Sequence, residues 1–112
     1  MSQYLVRHSD AIEAVACPFG ASTRIVTFRD TPLFNLHRTQ ITQSKMHYHK
    51  TITEVYYILE GDAQMTLNSE MIRVRTGTTI VIPPGVRHQI NGRVTALIVG
   101  LPAWDEQDEH FD

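Results

Sequence analysis

Most of what this sequence predicts comes from two stretches, HYHKTITEVYYILEG at residues 47–61 and GTTIVIPPGVRHQIN at residues 77–91. The first stretch supplies His47, His49 and Glu54, and the second supplies His88. Imidazole and carboxylate groups are ligands that first-row divalent metals accept. Because side chains alternate between the two faces of a strand, His47 and His49 would point the same way on a strand. We therefore expect one metal site whose ligands come from separate strands.

The order and gaps of these residues resemble the two signature motifs of the cupin superfamily. The first motif reads His47-x-His49-x4-Glu54-x6-Gly61, and the second reads Gly77-x5-Pro83-x-Gly85-x2-His88. The second motif usually ends in an Asn four residues after its His, whereas Asn91 follows His88 by three. That departure puts the role of Asn91 in doubt. The chain also resembles small single-domain bacterial cupins that end in an acidic Asp-Glu-His-Phe tail.

Short segments rich in Val, Ile, Thr and Tyr follow one another from residue 24 onward, which predicts an all-β protein. The predicted strands are 24–28, 34–41, 53–60, 63–68, 71–75, 78–82, 87–90 and 94–99. Turns are predicted between them, among others at Gly61-Asp62 and at Asn91-Gly92. Residues 9–16 fit either a short helix or an edge strand. Many short strands form a sandwich or a closed barrel, and ligands that converge in a concave surface favour the barrel. The resemblance implies the jelly-roll, or double-stranded β-helix, barrel.

The size and charge of the chain narrow the classes of protein further. Its 112 residues predict a single domain, 1–112, and its net charge of −2 provides no basic patch for nucleic acid. No start resembling a signal peptide and no apolar run long enough for a bilayer are present. A single cysteine, Cys17, suits a reducing cytoplasm. We expect a cytoplasmic protein without nucleic-acid or membrane partners.

Residues 54–59 predict one strand that is apolar on both faces. Alternation places Glu54, Tyr56 and Ile58 on one face, with Val55, Tyr57 and Leu59 on the other. Exposure of three large apolar side chains costs roughly 1.5–3 kcal/mol each. The outer face must then be covered by the N-terminal segment or by a second subunit, which predicts a homodimer.

The acidic segment at residues 105–112 is expected to be a solvated tail, because blocks of like charge repel one another. The alternative is that Trp104 and Phe111 dock this segment on the barrel.

Three neutral imidazoles and one carboxylate leave a charge of +1 on a divalent ion, and an octahedral ion keeps two positions open. Fe, Mn, Ni, Cu and Zn all accept such ligands; the resemblance implies Fe or Mn, with Zn or Ni in purified protein. Tyr56 shares the inner face with Glu54 and is a candidate general acid or base. Its alternative role is that of an interior tyrosine bonded to a neighbour.

The expected function is that of a small metal-dependent enzyme acting on a small organic substrate, most simply a dioxygenase. The first alternative is a non-oxidative isomerase, cyclase or lyase that uses the metal as a Lewis acid. The second is a non-catalytic cupin that binds a small ligand as a sensor or a store. Fold alone does not choose among them.

Overall fold

The computed structural model describes residues 3–112. Within that range the chain forms seven β-strands and two short 3-10 helices, Ser9–Ala11 and Glu106–Asp108. The strands are β1 (Val15–Cys17), β2 (Gly20–Val26), β3 (Asn35–Ile41), β4 (Thr53–Leu67), β5 (Glu70–Arg75), β6 (Thr79–Ile82) and β7 (His88–Leu101). No helix within residues 3–112 is long and apolar enough to cross a membrane.

Two long strands, β4 and β7, organise the barrel. The strands pair antiparallel in the order β1-β2-β3-β7-β4-β5, with β6 also paired to β4. The first half of β4 pairs with β6 and its second half with β5, while β7 runs beside both halves. Each long strand therefore belongs to both walls of the barrel. The predicted double-stranded β-helix, an all-β jelly-roll barrel, is confirmed.

Two predicted turns were wrong, because Gly61 and Gly92 lie inside the continuous strands β4 and β7. Both glycines have positive φ, +108° and +129°. A Cβ on Gly61 would lie 2.5 Å from the Arg93 carbonyl oxygen, and one on Gly92 would lie 2.8 Å from the Ala63 Cβ. The glycines thus let the two strands bend closely past each other without reversing the chain. In sequence, such a bend has the same glycine signal as a turn.

The N-terminal segment combines both predicted alternatives. Residues Ser9–Ala11 form a 3-10 helix, and Val15–Cys17 form the edge strand β1. Farther toward the N terminus, Arg7 donates hydrogen bonds to the Ile25 carbonyl and the Asp30 carboxylate, which lie on or just after β2. This segment therefore packs beside β2 rather than over β4.

The alternation predicted for the start of β4 is confirmed. Tyr56 and Ile58 are buried in the core, where they pack with Met65, Val74 and Ile90. On the opposite face Tyr57 is 44% exposed, and its neighbours Val55 and Leu59 are half-buried. The outer face of this sheet thus keeps apolar side chains in contact with solvent.

Candidate metal centre

The four predicted ligands come from three places in the barrel. Glu54 lies at the start of β4 and His88 at the start of β7. His47 and His49 lie in the loop that joins β3 to β4, held by isolated backbone bridges rather than by the predicted strand. The backbone N–H groups of His47 and His88 each donate to the other residue's carbonyl, at 3.1 and 2.9 Å. These bonds hold the loop beside β7 and align its side chains with those of the barrel.

All four side chains meet inside the barrel. Each offers one ligand atom, and these atoms lie within 4.8 Å of one another. Their residues are 1–7% exposed. A buried group of three imidazoles and one carboxylate could bind a metal ion, because first-row divalent metals accept these ligand types.

The hydrogen bonds of the three histidines orient their rings. Each Nδ1 lies next to a backbone carbonyl oxygen: 2.7 Å from Lys45 for His47, 2.9 Å from Asp108 for His49 and 3.0 Å from Val86 for His88. A carbonyl accepts a hydrogen bond, so each Nδ1 carries the proton. The lone pair of each neutral ring is then on Nε2. Such bonds fix the tautomer that a metal ligand needs.

The buried nitrogen of His49 tests whether a metal fits. Glu54 Oε1 lies 3.1 Å from Nε2 of both His49 and His88. The contact with His88 has hydrogen-bond geometry, but it is a hydrogen bond only when that ring carries a second proton on Nε2. The geometry toward His49 is unsuitable, so His49 Nε2 has no hydrogen-bond partner within residues 3–112. An unpaired buried nitrogen is costly. A divalent cation bound by the four ligand atoms would give it a partner, so the residues present fit a metal.

The local charges prepare two of the ligands for a metal. Burial alone would raise the pKa of Glu54, but its contacts with His49 and His88 outweigh burial and lower that pKa to about 2. Burial, together with the nearby His88, lowers the pKa of His47 to about 4. Burial opposes protonation of His49 too, but Glu54 outweighs it and raises the pKa of His49. At neutral pH, Glu54 is therefore ionised and His47 is neutral.

The expectation of a solvated C-terminal tail was wrong. The Asp108 carboxylate accepts hydrogen bonds from the backbone N–H groups of Lys50, Thr51 and Ile52 at 2.9–3.2 Å, and from the Thr51 hydroxyl. Two residues later, His110 exchanges backbone hydrogen bonds with Tyr48 at 2.9 and 3.0 Å. The segment thus lies across the ligand loop, and we call residues 105–112 the C-terminal strap.

The two aromatic residues of the docking alternative contribute unequally. The backbone N–H of Trp104 donates to the Asn35 side-chain oxygen at 2.5 Å, and the Trp104 side chain is half-buried. Phe111 is 47% exposed, although its ring centroid lies 6.2 Å from that of His47. Polar contacts of Asp108 and His110 hold the strap more than the aromatic rings do.

Glu109 is a pocket residue that the sequence reasoning missed. Its side chain is 14% exposed, and Oε1 lies 4.0 Å from His47 Nε2. Burial raises the pKa of Glu109, although nearby His49 opposes that effect. No pattern in the acidic run distinguishes Glu109 from its neighbours, so no sequence signal identifies it.

The ligand atoms open on a cavity of about 270 Å³, which also reaches Tyr56, His37 and Glu109. Phe19, in the turn between β1 and β2, stacks on the His47 ring with centroids 4.8 Å apart. Tyr56 is 5% exposed, and burial together with the charges of Glu54 and Glu109 raises its pKa well above 10. Its hydroxyl is therefore protonated at neutral pH and can donate a hydrogen bond into the cavity.

Three other polar residues, Arg73, Arg87 and Asn91, are not among those that line this cavity. Arg73 pairs with Asp62, and Arg87 pairs with Asp112. Asn91 is exposed on β7 and is not among the residues lining the cavity. The doubt about Asn91 that its spacing raised is therefore justified.

Comparison with protein families supports the motif assignment. A family described as "Cupin domain" matches residues 39–99. An uncharacterized protein of Methanocaldococcus jannaschii is 38% identical over 71 residues, which are 60% of this chain and 57% of that protein. The match therefore spans little more than half the length of that relative.

Two solved structures share the architecture. A protein from Planctomyces limnophilus is 34% identical, with a TM-score of 0.90 and 98% of each chain covered. The nucleoside dehydratase Pac13 from Streptomyces is 20% identical, with a TM-score of 0.84, covering 96% of this chain and 90% of Pac13. At that identity, the likeness to Pac13 establishes the fold alone.

Proposed function

Because this chain belongs to the cupin family, we propose that its barrel is a metal-dependent enzyme that acts on a small organic substrate. His47, His49, Glu54 and His88 would hold one divalent ion. The observation that carries the proposal is the buried His49 Nε2, which has no hydrogen-bond partner within residues 3–112 and faces the Glu54 carboxylate. A cavity of about 270 Å³ limits the substrate to a small molecule.

A bound ion would supply Lewis acidity to the substrate and, in the case of iron, redox chemistry with O2. The chain's own residues would bind and enclose the substrate. Phe19 and the C-terminal strap cover the ligand atoms and restrict water. Fe or Mn is the proposed native metal, and Zn or Ni is expected in protein purified from a foreign host.

The first candidate reaction is a dioxygenase reaction, in which both atoms of O2 enter the substrate and the substrate supplies the electrons. Four protein ligands leave room on an octahedral ion for the substrate, which favours this chemistry. The test is oxygen consumption by the Fe(II)-loaded protein with candidate chelating substrates. Full activity of a Zn(II)-loaded protein would eliminate this reaction, because zinc has no redox chemistry.

The second candidate reaction is non-oxidative, and Tyr56 is the observation that favours it. Its hydroxyl makes no side-chain hydrogen bond within residues 3–112 and lines the same cavity as the four ligands. A protonated tyrosine beside a Lewis acid could deliver a proton to a departing oxygen. Pac13, a nucleoside dehydratase on the same fold, is consistent with such a lyase reaction. Loss of turnover in Tyr56→Phe with unchanged metal content would support this role.

We further propose a homodimer formed through the outer face of the sheet. Val55 lies directly between Val81 on β6 and Val99 on β7, which makes an apolar row across three strands. Val81 is 60% exposed and Tyr57 is 44% exposed. The described contacts of the N-terminal segment lie beside β2 instead, so a second copy of the chain is the proposed cover. A monomer by sedimentation at micromolar concentration would refute this proposal.

A cytoplasmic location, with a small-molecule substrate and without nucleic-acid or membrane partners, also remains a proposal. It rests on the single cysteine and the balanced charge. Fractionation of cells of the native host tests the location.

A further inference from the structure

Glu109 is held rigidly in the wall of the cavity. The residue before it, Asp108, is fixed by the backbone N–H groups of residues 50–52, and its carbonyl accepts the His49 Nδ1–H at 2.9 Å. The residue after it, His110, is fixed by two backbone hydrogen bonds with Tyr48. With both neighbours anchored on the ligand loop, the backbone of Glu109 has little freedom, and its carboxylate has a defined place.

The Glu109 carboxylate lies close to the four ligand atoms without a partner of its own. Its Oε1 is 4.0 Å from His47 Nε2, which is beyond hydrogen-bond distance. The side chain is 14% exposed and accepts no hydrogen bond from residues 3–112. The carboxylate lines the cavity, so a molecule that occupies the cavity can supply the donor.

Charge balance points the same way. A divalent ion held with Glu54 would carry +1, and that positive charge would favour the ionised form of Glu109 against the effect of burial, which brings the centre to neutrality. The carboxylate would attract a donor group on a ligand and disfavour a second anionic group at the same place.

We propose that Glu109 is a specificity-determining residue that accepts a hydrogen bond from the substrate. The substrate class is then a small organic molecule with a hydroxyl or ammonium donor next to the oxygen that binds the metal. This inference rests on the proposed metal site.

The test compares two probes that differ only in this donor. Glycolate has a hydroxyl next to its carboxylate, and methoxyacetate has a methyl ether in the same position. Both carry the same charge, so repulsion by Glu109 cancels in the ratio of their dissociation constants. Each probe is titrated into Co(II)-loaded protein while the visible absorption of the cobalt is followed. The Co(II) affinity of every variant is measured separately by competition with a chromophoric chelator.

A hydrogen bond to a charged group corresponds to a preference of at least tenfold. The ratio favouring glycolate is therefore expected to fall about tenfold in Glu109→Leu. In Glu109→Gln the fall is expected to be about threefold, because an amide oxygen still accepts a hydrogen bond. Asp112→Asn is the matched control, since Asp112 lies on the same strap but pairs outward with Arg87. Its ratio is expected to stay at the wild-type value.

Three results would overturn the proposal. The first is an unchanged ratio in Glu109→Leu that still folds, as judged by thermal unfolding; if that variant does not fold, an unchanged ratio in Glu109→Gln has the same meaning. The second is failure of glycolate to bind the loaded wild-type protein. The third is a loss of Co(II) affinity in Glu109→Gln as large as that in His49→Ala, which would make Glu109 a ligand. Failure of wild-type protein to take up Co(II) would instead refute the proposed function itself.

Discussion

Replacement of Asp108 by alanine removes the anchor of the C-terminal strap and should measurably destabilise the metal-free protein. The carboxylate accepts three backbone N–H bonds and one from the Thr51 hydroxyl. These bonds also lower the pKa of Asp108 far below its usual range, against the effect of burial. A hydrogen bond to a charged group contributes about 1.5–3 kcal/mol, but these groups lie near the surface, where water replaces part of each bond. We expect a loss of about 2–4 kcal/mol in the free energy of unfolding.

The assay is urea unfolding at pH 7 after removal of metal with a chelator. Asp108→Asn keeps one acceptor oxygen, so its loss should be about half that of Asp108→Ala. Asp10→Ala, a carboxylate removed from an exposed position, is the control and should change the free energy of unfolding by less than about 0.5 kcal/mol. A destabilisation of Asp108→Ala no greater than that of this control would refute the idea that the strap is anchored by its carboxylate.

Four other outcomes are expected. His49→Ala should reduce metal occupancy sharply, since it removes one coordinate bond, and wild-type occupancy by elemental analysis would contradict the ligand assignment. Metal should be released on dialysis below about pH 6, because the pKa of His49 is raised and protons compete with the metal from the usual imidazole range downward; full stoichiometry after prolonged dialysis at pH 5 would argue against this. Burial and the nearby Arg24 lower the pKa of His37 to about 4. Between about pH 6.5 and pH 4 the unfolded chain therefore binds more protons than the folded one. The free energy of unfolding of the metal-free protein should therefore decrease as the pH is lowered through this window. His37→Asn should reduce that decrease when it is measured by urea unfolding. An unaltered pH dependence in this variant would exclude a contribution from His37. Tyr57→Lys should yield monomers by sedimentation if the outer face forms the dimer, and unchanged association would place the interface elsewhere.

The C-terminal strap helps to orient the metal ligands of the loop that joins β3 to β4. His49 depends for its ring orientation on the Asp108 carbonyl, a backbone atom 59 residues farther along the chain. Folding of the last few residues and orientation of a predicted metal ligand are therefore coupled. Truncation of the strap would affect the site as well as the edge of the barrel.

Much of the fold could be predicted from the sequence, because its determinants are local. The cupin resemblance of residues 47–61 and 77–88 implied the barrel, and alternation in residues 54–59 separated its inner face from its outer face. The second signal depends on the period of a strand, which the chain itself carries. The turns predicted at Gly61 and Gly92 failed, since a glycine that permits a bend inside a strand looks the same in sequence as one that ends it.

The four candidate ligands could be chosen from the sequence alone, but their surroundings could not. Whether an acidic run is solvated or docked depends on what it meets, and the partners of Asp108 are backbone N–H groups that any sequence would offer at residues 50–52. Glu109 lines the cavity because its two neighbours are anchored on the ligand loop, which places its side chain near the ligand atoms. The family resemblance in the sequence thus implied the barrel and its candidate metal ligands. Only the tertiary structure decided that residues 105–112 lie beside the cavity, because contacts with backbone groups distant in sequence leave no pattern in the residues that make them.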